Sequence, residues 1–167
     1  MKIRAFLLAL LLPVCAFAQQ PSVPDSAAAT LLAAPLLDTA GQPATLARFR
    51  GQPLIVNFWA RWCGPCRVEI PDLVAEHARM KSAGVQVVGI ALDDKPGAVR
   101  DFAKAYDIDY PVLLLKDGGT DLLKQLGNQV AGLPFTLVLN KEGKVVAFKL
   151  GAMSRAEIGA AVDVAGK

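Results

Sequence analysis

A single histidine and three cysteines in 167 residues leave this chain without the four-ligand set that a structural zinc site draws from Cys and His. A copper carrier would normally want a histidine in a later loop, and the one histidine, His77, falls in a helical pattern instead. Charge of one sign is scarce too. Eighteen basic residues face fifteen acidic ones, a formal net charge of +3, and the basic residues are scattered with no aromatic platform between them, which argues against a nucleic-acid surface. Internal repeats are absent. Long hydrophobic runs are missing as well: the N-terminal one, Phe6 to Leu12, is well short of the roughly 20 residues that span a bilayer. What remains is an ordinary globular balance, 53% hydrophobic and 20% charged, with room for one domain.

The short N-terminal run has a purpose of its own. Lys2 and Arg4 supply a positive flank, Phe6 to Leu12 an apolar centre and Ala16-Phe17-Ala18 an A-x-A cleavage site, so residues 1–18 read as a secretory signal peptide. An uncleaved membrane anchor is the alternative that the short run disfavours. Lipid attachment at Cys15 is a second, disfavoured by the bulk of Val14 before it. Cleavage takes the net charge to +1, because Lys2 and Arg4 leave and no acid goes with them. It also removes Cys15, so that Cys63 and Cys66 are the thiols of a chain exported to an oxidising, periplasm-like compartment.

Residues 19–34 are rich in Pro, Ser and Ala, carry no period and read as a flexible lead-in; residues 35–167 read as the folded domain. Leu36 to Asp38 and Ala44 to Leu46, about a Thr39-Ala40-Gly41-Gln42-Pro43 turn, predict a small hairpin. Leu54 to Trp59 is an almost unbroken apolar run of strand length, the pattern of a strand buried on both faces. Helical spacing follows from Cys63 to about Ala83, with Val68, Ile70, Leu73, Val74, His77, Ala78 and Met80 as its apolar stripe and a kink expected at Pro71. Then come a strand at 85–92, a helix at 95–106, a strand at 112–115, a short helix at 121–126, a hairpin from strands at 135–140 and 145–150, and a last helix opened by the Ser154-x-x-Glu157 capping box. Alternating strands and helices predict an α/β fold with a mixed central sheet and helices on both faces.

Two cysteines separated by two residues, placed between a buried strand and a helix, read as a redox pair. A structural staple is the alternative, but closing so small a loop constrains the unfolded chain very little. No separate cysteine in a Pro-rich Thr/Cys loop suggests a peroxidase.

The stretch Asn57-Phe58-Trp59-Ala60-Arg61-Trp62-Cys63-Gly64-Pro65-Cys66-Arg67-x-Glu69-x-Pro71-x-Leu73 resembles the exported TlpA/ResA-like branch of the thioredoxin superfamily. Gly132-Leu133-Pro134-Phe135-Thr136, followed by a strand and Asn140-Lys141-Glu142-Gly143-Lys144, resembles it as well, and the likeness covers about Pro35 to Val164. The resemblance implies a thioredoxin-like fold with an N-terminal β-hairpin and an extra strand-helix insertion. It implies a thiol-disulfide oxidoreductase, usually a reductant outside the cytoplasm and often in cytochrome c maturation. No cofactor and no metal is implied beyond the Cys63/Cys66 pair itself. Implied partners are a protein disulfide, with apocytochrome c as one candidate, and a membrane thiol-disulfide electron donor; the chain itself would act as a monomer. An oxidase or isomerase on the same fold stays open, as does a binding module that carries metal or acts as a chaperone without turnover.

Physical chemistry supports the roles. Free N–H groups at a helix start favour a thiolate, which makes Cys63 the nucleophile, with Cys66 one turn inward as the resolving thiol. The Gly64-Pro65 dipeptide matches thioredoxin, whose potential of about −270 mV contrasts with about −120 mV for a strong oxidant. The likeness further implies a cis Leu133-Pro134 bond facing the cysteines and a substrate surface of Trp62, Gly64, Pro65, Leu133 and Phe135. Cytoplasmic thioredoxins carry a buried Asp where this chain has Asn57, which moves proton handling to Glu69, one turn after Cys66. An exposed acid early in the helix is the other reading of Glu69. Trp62 is expected outside and Trp59 inside, with Arg61 and Arg67 as solvated charges.

Overall fold

The computed structural model describes residues 23–93 and 95–166; the signal-peptide reading, with Cys15, lies outside them. Leu54–Trp59 (β3) is buried along its whole length, as a strand covered on both faces must be. It pairs in parallel with Gln86–Ala91 (β4) and antiparallel with Phe135–Leu139 (β6). Leu36–Asp38 (β1), Pro43–Ala44 (β2), Val112–Leu114 (β5) and Val145–Leu150 (β7) complete a mixed sheet in the order β2-β1-β5-β4-β3-β6-β7. The β1/β2 hairpin extends one edge through β5, the β6/β7 hairpin the other, and β5 with Gly119–Gln125 (α4) lies in the chain between β4 and β6.

Side chains alternate across β3, and each set finds its own helices. Leu54, Val56 and Phe58 face a core shared with Leu122 and Leu123 of α4 and with Leu31 and Leu32. Ile55 and Trp59 face the other layer, where Leu73 and Ile70 of Gly64–Ser82 (α2), Val99 of Pro96–Ala105 (α3) and Ile158 of Arg155–Ala165 (α5) pack. Asn57 lies between Ile55 and Trp59, so its side chain enters the α2 layer.

Two expectations change. Within the span expected to be a flexible lead-in, Asp25–Ala33 (α1) is a helix whose Ala27, Ala28, Leu31 and Leu32 are buried. Those four recur at i, i+1, i+4 and i+5, one helical face, and burial of Leu31 alone contributes about 2 kcal/mol. In α2 the buried stripe is Cys66, Glu69, Ile70, Leu73, His77 and Met80. Val68 and Ala78 point to solvent instead, because the stripe keeps the phase of Cys66, and α2 runs as one helix through Pro71.

Candidate active site

The sheet positions the motif at the C-terminal end of β3. Cys63 is the N-cap of α2, and its Sγ accepts the Cys66 N–H at 3.2 Å, so the first sulfur satisfies a donor that the helix start leaves free. Cys63 and Cys66 form a disulfide, Cα atoms 5.3 Å apart. Cys63 keeps 5% of its surface, while Cys66 has none and packs with Trp59, Ile70 and Val99. Gly64 and Pro65 are exposed, and Trp62 stands out at 75% exposure.

Because β6 runs antiparallel to β3, its beginning lies beside the end of β3 that carries the cysteines. The Leu133–Pro134 bond there is cis, and Leu133 packs against the cluster holding both sulfurs. Asn128 braces the approach: its Nδ2 donates to the Gly132 carbonyl at 2.8 Å and its Oδ1 accepts the Gly132 N–H at 3.1 Å. Phe135 is a correction. Its ring is fully buried against Phe58 and Phe148, so its side chain belongs to the core and not to a contact surface. Val130 and Leu150, both beside Gly132, are exposed there instead; nothing in the sequence motif distinguished them.

Glu69 is no exposed acid: 1% of it reaches solvent. Its Oε1 accepts the Met153 N–H at 2.8 Å and its Oε2 accepts from Asn57 Nδ2 at 2.9 Å. Burial pushes its carboxyl above the ordinary carboxylate range, more strongly than these two donors pull it down. Tyr110, with its phenol buried near the same charge, is pushed up as well, again chiefly by burial. Of the two cations expected to be solvated, Arg67 is exposed and Arg61 is half-buried. Arg61 makes a two-pronged pair with Asp93, at 2.7 and 3.2 Å, and Arg67 donates to the Tyr106 hydroxyl at 2.7 Å. His77 is buried on α2 with Nδ1 2.8 Å from Asp109 Oδ1, and among the described residues no group of three or more His, Cys, Asp or Glu is placed to hold a metal ion.

A sheet of this order with a cysteine pair at the N-terminus of its longest helix and a cis-proline loop beside it defines a thioredoxin-like protein with a redox-type CxxC site. The Redoxin family matches residues 18–164, and the chain belongs to that family. The thiol-disulfide oxidoreductase ResA of Bacillus subtilis is 35% identical over 123 residues, which are 74% of this chain and 66% of that protein. ResA of Bacillus thuringiensis is 34% identical over 109 residues, 65% of this chain and 61% of that one, so the chain spans a little under two thirds of these relatives. Among solved structures, a thiol:disulfide interchange protein of the thioredoxin family from Chlorobium tepidum is 31% identical, with a TM-score of 0.66 over 80% of this chain and 95% of that one. A secreted Mycobacterium tuberculosis disulfide oxidoreductase, described as homologous to Escherichia coli DsbE, is 26% identical, with a TM-score of 0.67 over 84% and 98%.

Proposed function

We propose that this chain is an exported thiol-disulfide oxidoreductase that reduces disulfides in proteins. The observation that carries the reading is the Cys63 sulfur capping α2: a group that accepts a helix-start N–H as part of a disulfide is held where a thiolate would be stabilised after reduction. In the forward reaction the Cys63 thiolate attacks one sulfur of the substrate disulfide, that S–S bond breaks, and the departing substrate thiolate takes a proton. Glu69 accepts the Cys66 proton, Cys66 attacks the Cys63 sulfur, and the second substrate thiolate leaves. Two electrons pass from the cysteine pair to the substrate, and the pair ends as the disulfide. The raised proton affinity of Glu69 suits a carboxylate that must take a thiol proton near neutral pH.

Trp62, Gly64, Pro65 and Leu133 would touch the substrate, with an extended segment pairing along the backbone before Pro134. A membrane thiol-disulfide donor would return two electrons to the pair, and apocytochrome c is a candidate substrate. Support for export comes from the signal-like residues 1–18 and from the secreted Mycobacterium tuberculosis neighbour. The test is an insulin-reduction assay together with the potential of the pair. Reduction with a potential near the thioredoxin value of about −270 mV is expected; a value near about −120 mV would make the protein an oxidant.

A further inference from the structure

Asn57 is fully buried at the middle of β3, opposite Thr136 on β6 and Gly89 on β4. Its Nδ2 uses both hydrogens, one to Glu69 Oε2 at 2.9 Å and one to Thr136 Oγ1 at 2.9 Å. Its Oδ1 has no hydrogen-bond partner among the described residues. Buried amides normally satisfy both ends. Here the carbonyl is forgone while both donors are engaged, which is the orientation an ionised Glu69 asks for.

We propose that Asn57 is a positioning residue for Glu69: its amide donates to the carboxylate when Glu69 is ionised and turns over to accept from the carboxyl when Glu69 holds a proton. A proton on Oε2 removes the acceptor that Nδ2 needs. A half-turn of the amide then brings Oδ1 to face both the Oε2–H and the Thr136 hydroxyl and carries Nδ2 to the end where Oδ1 had no partner, so the bonds to Glu69 and Thr136 reverse while that end stays open. Thr136 suits both states because a hydroxyl donates as readily as it accepts. The pairing across β3 and β6 holds Asn57 and Thr136 at one level, so the change needs no backbone movement. The charges felt at Glu69 come from Lys149 on β7 and Glu157 on α5, the Tyr110 phenol ahead of β5 feels the Glu69 charge in turn, and Cys66 lies one turn earlier on α2. This inference rests on the proton-accepting role proposed for Glu69.

The test follows the Glu69 carboxyl stretch by infrared difference against Glu69→Gln, alongside the pH–rate profile of insulin reduction, in the full chain. Asn57→Leu keeps the volume and removes the donor, so the Glu69 midpoint is expected to rise by about one pH unit or more, as losing a hydrogen bond to a charged group implies. Asn57→Ala removes the same donor without an added apolar side chain, should give a rise of the same sign, and carries the test if Asn57→Leu fails to fold. The double variant Asn57→Leu/Glu69→Gln should share the profile of Glu69→Gln alone. Unmoved midpoints in the folded variants, or a rate change by Asn57→Leu that survives in the Glu69→Gln background, would overturn the proposal. A midpoint that moves while Glu69→Gln leaves the rate untouched would overturn the catalytic reading of Glu69 instead, and keep its link to Asn57.

Discussion

Two consecutive backbone N–H groups, those of Met153 and Ser154, each hold a glutamate carboxylate: the first binds Glu69 of α2 at 2.8 Å, the second Glu157 of α5 at 2.9 Å. Their proton affinities nevertheless move apart. Glu157 sits at the surface, where the Lys149 ammonium at 2.7 Å and the Ser154 capping box hold its carboxyl down to about 2. Glu69 has a backbone donor of the same kind and an amide besides, but burial outweighs both and its carboxyl moves up. The donor does not decide the outcome; solvent access and a matched cation do. The surface carboxylate is a helix cap, and the buried one lies a turn from Cys66 with its proton affinity raised.

That contrast can be broken by exchanging each acid for its amide. Glu69→Gln should slow disulfide turnover by about tenfold or more, as expected for a lost proton acceptor, whereas Glu157→Gln should stay within about twofold. Steady-state insulin reduction at pH 7 measures both, and equal losses would erase the distinction. Stability against pH sharpens it next. Glu69 has a folded-state affinity above the ordinary 4.5, so its stabilising contribution is complete below that pH and is lost as pH rises through the raised value. Glu157 has a folded value of about 2, so its contribution is present above 4.5 and is lost as pH falls toward 2. Denaturant titrations from pH 2 to 8 should therefore show opposite slopes removed by the two variants. The smallest effect belongs to Lys149→Met: the Glu157 carboxyl should return toward the ordinary range, while Glu69, for which Lys149 is the least of the pulls, rises slightly. Carboxyl chemical shifts followed through a pH titration would resolve the two.

The same contrast explains what could be read from the chain. The cysteine pair, the strand before it, the helix after it and the Ser154-x-x-Glu157 box are local patterns, and each stands where its pattern puts it. The inward turn of Glu69 follows the helical phase of Cys66, Leu73 and Met80, but hydrophobicity alone puts a charged residue outside the apolar stripe and Val68 inside it. Its partners could not be read at all: Asn57 is 12 residues away, Met153 is 84, and only the sheet and the α2–α5 packing bring them together. The α1 helix is not legible in the sequence because its Ala-rich face is weak without the core it docks on. Arg61 meeting Asp93, and Phe135 turning inward, are likewise products of tertiary packing.

The most direct test of the central claim is a trap. Reduced Cys66→Ser protein mixed with a disulfide-bonded protein should accumulate a mixed disulfide on Cys63, identified by mass spectrometry and released by dithiothreitol, while Cys63→Ser should form none. An adduct that forms through Cys66 in the Cys63→Ser protein, or no adduct in either, would contradict the account.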